Sequence, residues 1–329
     1  MPLLALNNVF KSFRRGDGTQ TVYAVNGVSI EVEAGEAVGL IGESGSGKST
    51  IARLATGLLR PDAGAVTFGG REFATLSARE LRSQRADLQI VFQEPLESLD
   101  PRMSVFAIVE EPLVIHRPKL SRIERRRLVS STLEQVGLDL AFMHRYPRNL
   151  SGGQQQRVGI ARAIVTHPRF VVLDEPVSSL DLSVRALILN LLKKLQAELG
   201  LAYLFISHDI NTVRFFCSRT AVIYHGCVME IGPTSRLITV PGHPYTKALL
   251  SAQLAVDPVE KSARYPLIGE PRSPTAPVTG CPLVGRCPVS IDACSRGRVP
   301  LRGTEGGVEV ACVHAGSVPL PGVAVGAQK

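Results

Sequence analysis

Val38-Gly39-Leu40-Ile41-Gly42-Glu43-Ser44-Gly45-Ser46-Gly47-Lys48-Ser49-Thr50 is the stretch on which the fold turns. Its first four residues read as a short apolar strand, and from Gly42 onward it fits G-x-x-x-x-G-K-[ST] at every position. The glycines let successive backbone N–H groups turn inward as a concave anion nest. A helical pattern follows from Ser49 to about Leu59, so a helix N-terminus points at the same place. Lys48 adds a mobile cation for the outer phosphates of a nucleotide, and the Ser49 hydroxyl suits Mg²⁺. The cofactors expected from these residues are therefore a nucleoside triphosphate and Mg²⁺.

A second acidic element answers the first. Phe170-Val171-Val172-Leu173-Asp174-Glu175 is an apolar strand ending in two carboxylates. Asp174 is placed to reach Mg²⁺, and Glu175 to polarise an attacking water as general base. Strand–helix alternation resumes after Ser151, with a helix through Leu187–Leu199 and a strand over Ala202–Ile206. That pattern predicts a mainly parallel sheet. Residues 3–40 read as short strands, with Gly16-Asp17-Gly18 as a turn and alternation over Val28–Glu33. Residues 95–150 are charged and helix-favouring, and from Pro241 onward Pro, Gly and Cys dominate, which predicts a separate loop-rich appendage.

Bulk properties set limits. With 44% apolar and 20% charged residues, the 329-residue chain has material for a sizeable core. Its net charge of +8 favours anions without choosing among phosphates, acidic lipid and nucleic acid. The basic cluster Lys119, Arg122, Arg125, Arg126 and Arg127 reads as a solvated helix face. No apolar run reaches the ~20 residues that span a bilayer, and Met1–Leu6 lacks the basic leader of a signal peptide. A cytoplasmic chain with a peripheral membrane role is expected, and in that compartment the six cysteines do not form a disulfide framework. Cys217 and Cys227 read as small core residues.

Leu150-Ser151-Gly152-Gly153-Gln154-Gln155-Gln156-Arg157 narrows the class, because it resembles the signature of ABC-type ATPases. The resemblance runs over residues 3–240. It implies a P-loop NTPase (RecA-like) α/β core with an antiparallel β subdomain and an inserted α-helical subdomain at about 95–153. It also implies a head-to-tail pair of ATPase subunits, in which Ser151, Gly152, Gly153 and Gln154 close on the phosphate held by the partner. Gln93 resembles the glutamine that senses Mg²⁺ and water, with Glu94 where the family usually has Asp. Asp181 in Ser179-Leu180-Asp181 resembles the loop at the dimer interface, with Ser179 in place of Ala. His208 resembles the switch histidine at the γ-phosphate, and Phe13, with Tyr23 as competitor, the ring stacked on adenine. Catalytic roles fall to Glu175, His208, Lys48 and Gln93, nucleotide contacts to Phe13 and Gly42–Thr50, and Mg²⁺ to Ser49, Gln93 and Asp174.

The tail points to one branch. Gly242-His243-Pro244-Tyr245-Thr246-Lys247, followed by Cys281, Cys287, Cys294 and Cys312, resembles the C-terminal extension of oligopeptide and dipeptide importers. Ser98-Leu99-Asp100-Pro101-Arg102-Met103 looks like the second of the two ATPase subunits in such importers. This implies an ATPase domain over 1–240 and an extension over 241–329. The implied partners are a related second ATPase, two membrane permeases and, indirectly, an extracytoplasmic binding protein, at the cytoplasmic face of the membrane. Nickel and opine importers share the ATPase type. A soluble DNA-repair or translation ATPase fits poorly, because there is one cassette and the insert is too short for a coiled coil. No nucleic-acid partner is expected. The C-x5-C-x6-C-x17-C spacing is neither a zinc ribbon nor a ferredoxin run, yet four thiolates suit a [4Fe–4S] cluster or Zn²⁺, with free thiols as the remaining reading.

Overall fold

A computed structural model describes residues 1–14, 20–93, 98–253 and 265–315. The Gly16-Asp17-Gly18 turn and Glu94 lie outside the described residues. The chain opens with Leu4–Arg14 (β1) and Thr21–Val32 (β2), then Ala37–Ile41 (β3) and Lys48–Ala55 (α1). Ala63–Phe68 (β4), Arg71–Glu72 (β5), Ala78–Gln84 (α2) and Leu88–Val91 (β6) follow. Strands β2-β1-β4-β5 make an antiparallel sheet. Leu4, Leu6, Val9, Val28, Ile30 and Val32 are buried from both of its long strands.

The first two strands are not short, as the sequence suggested, but 11 and 12 residues long. Register shifts between Leu6 and Val9, and between Lys11 and Ser12, break the alternation that would have revealed them. Asn8 sits inside the first shift with φ of 48°.

Between β6 and the next strand the described residues include the helices Val105–His116 (α3), Arg122–Gln135 (α4) and Gly152–Ile164 (α5). Each starts at a serine, Ser104, Ser121 and Ser151 respectively, whose side chain accepts the backbone N–H of Ala107, Glu124 and Gln154. Ile108, Val109, Leu113, Val129, Leu133 and Val158 bury the faces between them. The expected solvated basic face is present: Arg122, Arg126 and Arg127 are exposed, and Arg125 pairs with Glu110 at 2.8 Å.

The chain then returns through Phe170–Asp174 (β7), Leu182–Leu199 (α6), Ala202–Ile206 (β8), Ile210–Phe216 (α7), Arg219–Tyr224 (β9) and Cys227–Pro233 (β10). Strands β9-β3-β8-β7-β6 are mutually parallel. Being covered on both faces, β7 and β8 are buried at every position.

Thr234–Thr239 (α8) and Pro244–Gln253 (α9) lead to the extension, with Arg302–Gly303 (β11) and Glu309–Val310 (β12). The extension is not the separate appendage that its composition suggested. Val310 of β12 pairs with Glu230 of β10, so two short strands cover the edge of the main sheet, whose N–H and C=O groups otherwise lack partners. Cys281, Leu283 and Cys294 join the same apolar core as the parallel strands.

Candidate active site

Parallel register gathers the sequence-predicted residues at one end of the sheet. Leu40 pairs with Ile206, Asp174 with Ile206 across β7–β8, and Val91 with Leu173. Gly42, Gln93, Glu175 and His208 therefore all emerge just beyond the carboxyl ends of their strands, the usual crevice of open α/β sheets.

The phosphate loop is shaped by close approach. A Cβ on Gly42 would stand 2.1 Å from the Ile223 carbonyl oxygen, and one on Gly47 2.3 Å from that of Ala24. Gly45 and Gly47 also have φ of 75° and 105°, which side-chain-bearing residues resist. Ser46, Ser49 and Thr50 continue the loop into α1, whose N-cap Gly47 offers no side-chain cap. Lys48 is buried and folds back, donating to the Gly42 carbonyl at 2.9 Å and the Glu43 carbonyl at 2.8 Å. Burial lowers its pKa, against the opposing pull of Glu175, Asp174 and Glu43.

Asp174 is buried, and burial raises its pKa, while a hydrogen bond from the Ser49 side chain pulls it back. Those two oxygens form the pair a hard divalent cation would take. Glu175 has φ of 48°, a conformation rarely taken by residues other than glycine or asparagine. Its carboxylate lies 2.9 Å from Nδ1 of His208, and its N–H donates to the Ile206 carbonyl at 3.0 Å. His208 is largely exposed and Glu175 mostly buried. Gln93 is exposed two residues beyond β6.

The signature stands elsewhere. Ser151 caps α5 in a reciprocal box: its Oγ accepts from the Gln154 N–H at 3.4 Å, and Gln154 Oε1 accepts from the Ser151 N–H at 2.9 Å. A Cβ on Gly153 would stand 2.6 Å from Val184 Cγ1, and one on Gly152 3.5 Å from Leu180 Cδ2. Ser151–Gln154 thus pack beside the Asp181 loop and, among the described residues, make no hydrogen bond to Gly42–Thr50. Asp181 itself caps α6, accepting from the Val184 N–H at 2.9 Å. Phe13 is 38% exposed, with the Lys11 ammonium 5.7 Å from its ring centroid. Tyr23 is half-buried and donates its N–H to Pro274 of the extension at 3.0 Å.

Cys281, Cys287, Cys294 and Cys312 line one small cavity together with His243 and His314. Burial pushes the Cys281 thiol up to about 12 and the Cys287 thiol to about 11. Backbone N–H groups two residues on, at Leu283, Val289 and His314, point at the sulfurs of Cys281, Cys287 and Cys312. Such hydrogen bonds favour thiolate. His243 is buried and its pKa is held down to about 3 by burial, so its ring is neutral. Its Nδ1 accepts from the Tyr245 N–H at 3.0 Å, so the proton sits on Nε2, which is buried without a partner. Four sulfurs are the donor type of a soft metal centre, although burial outweighs the N–H groups at Cys281, Cys287 and Cys312 and favours the neutral thiol. Among the described residues, however, no group of three or more His, Cys, Asp or Glu has the geometry to hold a metal ion. Cys217 and Cys227 are buried core residues, as expected.

Sequence reading missed three residues at this end of the molecule. Tyr245 accepts the Glu43 N–H on its hydroxyl at 3.0 Å, Arg286 faces the Glu43 carboxylate at 3.4 Å, and His243 looks into the cysteine cavity. For Tyr245 and Arg286, no local pattern announces contacts that span more than 200 positions.

Comparison with known proteins places these features. Residues 25–178 match the family model described as ABC transporter, and residues 229–294 the one described as oligopeptide/dipeptide transporter, C-terminal region. A putative peptide import ATP-binding protein of Brucella ovis is 45% identical over 315 residues, covering 95% of this chain and 98% of that one. The oligopeptide transport ATP-binding protein OppF of Escherichia coli is 42% identical over 311 residues, covering 92% and 93%. A dimeric ATP-binding cassette in a post-hydrolysis state, bound to ADP and Pi, superposes with a TM-score of 0.64 at 35% identity, over 70% of this chain and 98% of its own.

Proposed function

Because the chain belongs to the ABC transporter family, in the branch carrying the oligopeptide/dipeptide C-terminal region, we propose that it is the ATP-hydrolysing subunit of a di- and oligopeptide importer. The observation that carries the chemistry is the Glu175–His208 contact of 2.9 Å at the strand ends beside Lys48 and the Ser49–Asp174 pair.

The steps follow from those groups. ATP settles its phosphates on the amides of Gly42–Thr50, and Lys48 leaves the Gly42 and Glu43 carbonyls for the phosphate oxygens. Ser49, Asp174 and Gln93 would hold Mg²⁺, which neutralises charge between the β- and γ-phosphates. Phe13 offers its exposed ring to adenine. Glu175 accepts a proton as water attacks the γ-phosphorus and the bond to the β-phosphate oxygen breaks, while His208 steadies the γ-phosphate. Ser151, Gly152, Gly153 and Gln154 would complete the site of a second, related ATPase chain, across an interface that includes Asp181.

The ATPase domain runs over 1–240, with a helical insert at about 95–153 that receives the permeases, and the extension over 241–329. Among the described residues no helix is long and apolar enough to cross a membrane. The membrane path belongs to two permeases, with this chain docked at their cytoplasmic face; what supports this is the oligopeptide/dipeptide transporter C-terminal region over residues 229–294. Cys281, Cys287, Cys294 and Cys312 would hold a [4Fe–4S] cluster, a structural or one-electron centre. What supports this is the shared cavity and the N–H groups aimed at three of the sulfurs. Anaerobic purification should give bound iron and sulfide; stoichiometric zinc, or no metal, would remove the cluster.

Uptake of labelled di- and oligopeptides by cells carrying Lys48→Ala tests the whole reading. Lost uptake with the protein still expressed is the expected result. Normal uptake, with no redundant importer present, would overturn the peptide cargo and turn attention to nickel or another solute.

A further inference from the structure

We infer that the C-terminal extension sets nucleotide affinity, with Tyr245 and Arg286 acting as positioning residues for the phosphate loop through Glu43. The inference rests on the ATPase reading above and goes beyond it, because it gives a task in nucleotide binding to a region outside the ATPase motifs.

Glu43 is held at three points. Its N–H donates to the Tyr245 hydroxyl at 3.0 Å, and its carbonyl accepts from Lys48 at 2.8 Å. Its carboxylate faces Arg286 Nη1 at 3.4 and 3.5 Å. Two of these holds come from beyond the ATPase motifs and the third from the lysine that must move. The anchors are themselves fixed. Tyr245 is buried, and its ring centroid lies 4.6 Å from that of Tyr224. Arg286 donates to the Tyr224 hydroxyl at 3.0 Å and is mostly shielded from solvent.

The consequence concerns the moment of binding. Lys48 braces the loop by bonding to the Gly42 and Glu43 carbonyls. When it swings to the phosphates that brace is lost, and the first turn of the nest then depends on its other ties. Gly226, at the β9–β10 turn, donates to the Ser46 carbonyl at 2.8 Å and secures the far side. Tyr245 and Arg286 secure the near side, so the amides stay preorganised while the lysine moves. Both arms leave the walls of the cysteine cavity. Arg286 precedes Cys287, and the Tyr245 N–H is bonded to His243.

The test is ATP and ADP affinity of the full chain, by fluorescent-nucleotide displacement, beside KM, kcat and thermal stability. Tyr245→Phe keeps the ring and removes one acceptor. It is expected to weaken ATP and ADP alike by about fivefold, the scale of one neutral hydrogen bond, and to raise KM similarly, with kcat held within twofold. Arg286→Gln should weaken binding by about two- to fivefold, Arg286→Lys should restore most of it, and the effects of Arg286→Gln and Glu43→Gln should not add. Unchanged nucleotide affinity in Tyr245→Phe and Arg286→Gln, whatever their stability, would overturn the inference, as would a fall in kcat at constant KM. Should Tyr245→Phe fail to fold, the Arg286 and Glu43 variants decide alone. A native chain that neither binds nor hydrolyses ATP would instead sink the ATPase reading, so the two failures are distinguishable.

Discussion

Helices α1 and α5 both begin beside paired glycines, and they begin in opposite ways. Gly47 enters α1 with φ of 105° and, having no side chain, gives the first amides of that helix no N-cap partner. Ser151 enters α5 with its own reciprocal box, and its hydroxyl oxygen already accepts the Gln154 N–H. The first end is left open for an anion. The second has closed on itself, and what Ser151 still offers outward is its hydroxyl proton. On the function proposed above, the contrast reads as a primary phosphate site at α1 and a separate surface at α5 that would complete a phosphate site held by a second chain.

The largest expected effect lies on the primary side. Glu175→Gln should lower turnover at least ~100-fold, the usual worth of a general base, while leaving ATP affinity intact; undiminished phosphate release would break the assignment. Gly153→Val attacks the other side, since even a Cβ there meets Val184 at 2.6 Å. Turnover in the assembled importer should fall ~10-fold or more, and ATP affinity of the isolated chain should not move. If affinity falls too, the two helix starts are not independent half-sites. Ser151→Ala removes both cap and hydroxyl. It should cost about 1 kcal/mol of stability, read by thermal melting, and a several-fold drop in importer turnover at unchanged KM.

The smallest effect sharpens the comparison by staying inside the β subdomain. Asp62 accepts from Lys11 at 2.6 Å and from the Ser12 N–H at 2.7 Å. Burial works against its ionised form, but the bonds from Lys11 and Ser12 outweigh it and hold the carboxyl below the usual range. A lowered acid stabilises above its ordinary pKa, and that share is lost as pH falls through the lowered value. Asp62→Asn should therefore cost less than about 1 kcal/mol at neutral pH, because Asp62 itself is exposed. The difference from the native chain should shrink below about pH 4.

What was legible in the sequence was contiguous. Gly42–Thr50, Asp174-Glu175 and Ser151–Gln154 each carry their chemistry within a few residues, and the parallel sheet that joins them follows from apolar strands alternating with helices. The length of β1 and β2 was hidden because bulges reset the alternation near Asn8. Strands β11 and β12 have two residues each, too few to show any period. Tyr245 and Arg286 were invisible for another reason. Their meaning lies in Glu43, 202 and 243 positions away, and no spacing rule spans that distance.

The central claim is that one chain is an incomplete catalyst. Light scattering and ATPase rate, measured together over a range of concentrations with and without the related second ATPase chain, test it most directly. The account predicts a slow, monomeric chain alone, and a rate that rises with ATP-dependent association when the second chain is added. A chain that hydrolyses ATP at the importer's full rate, while its mass stays that of a monomer, would contradict it.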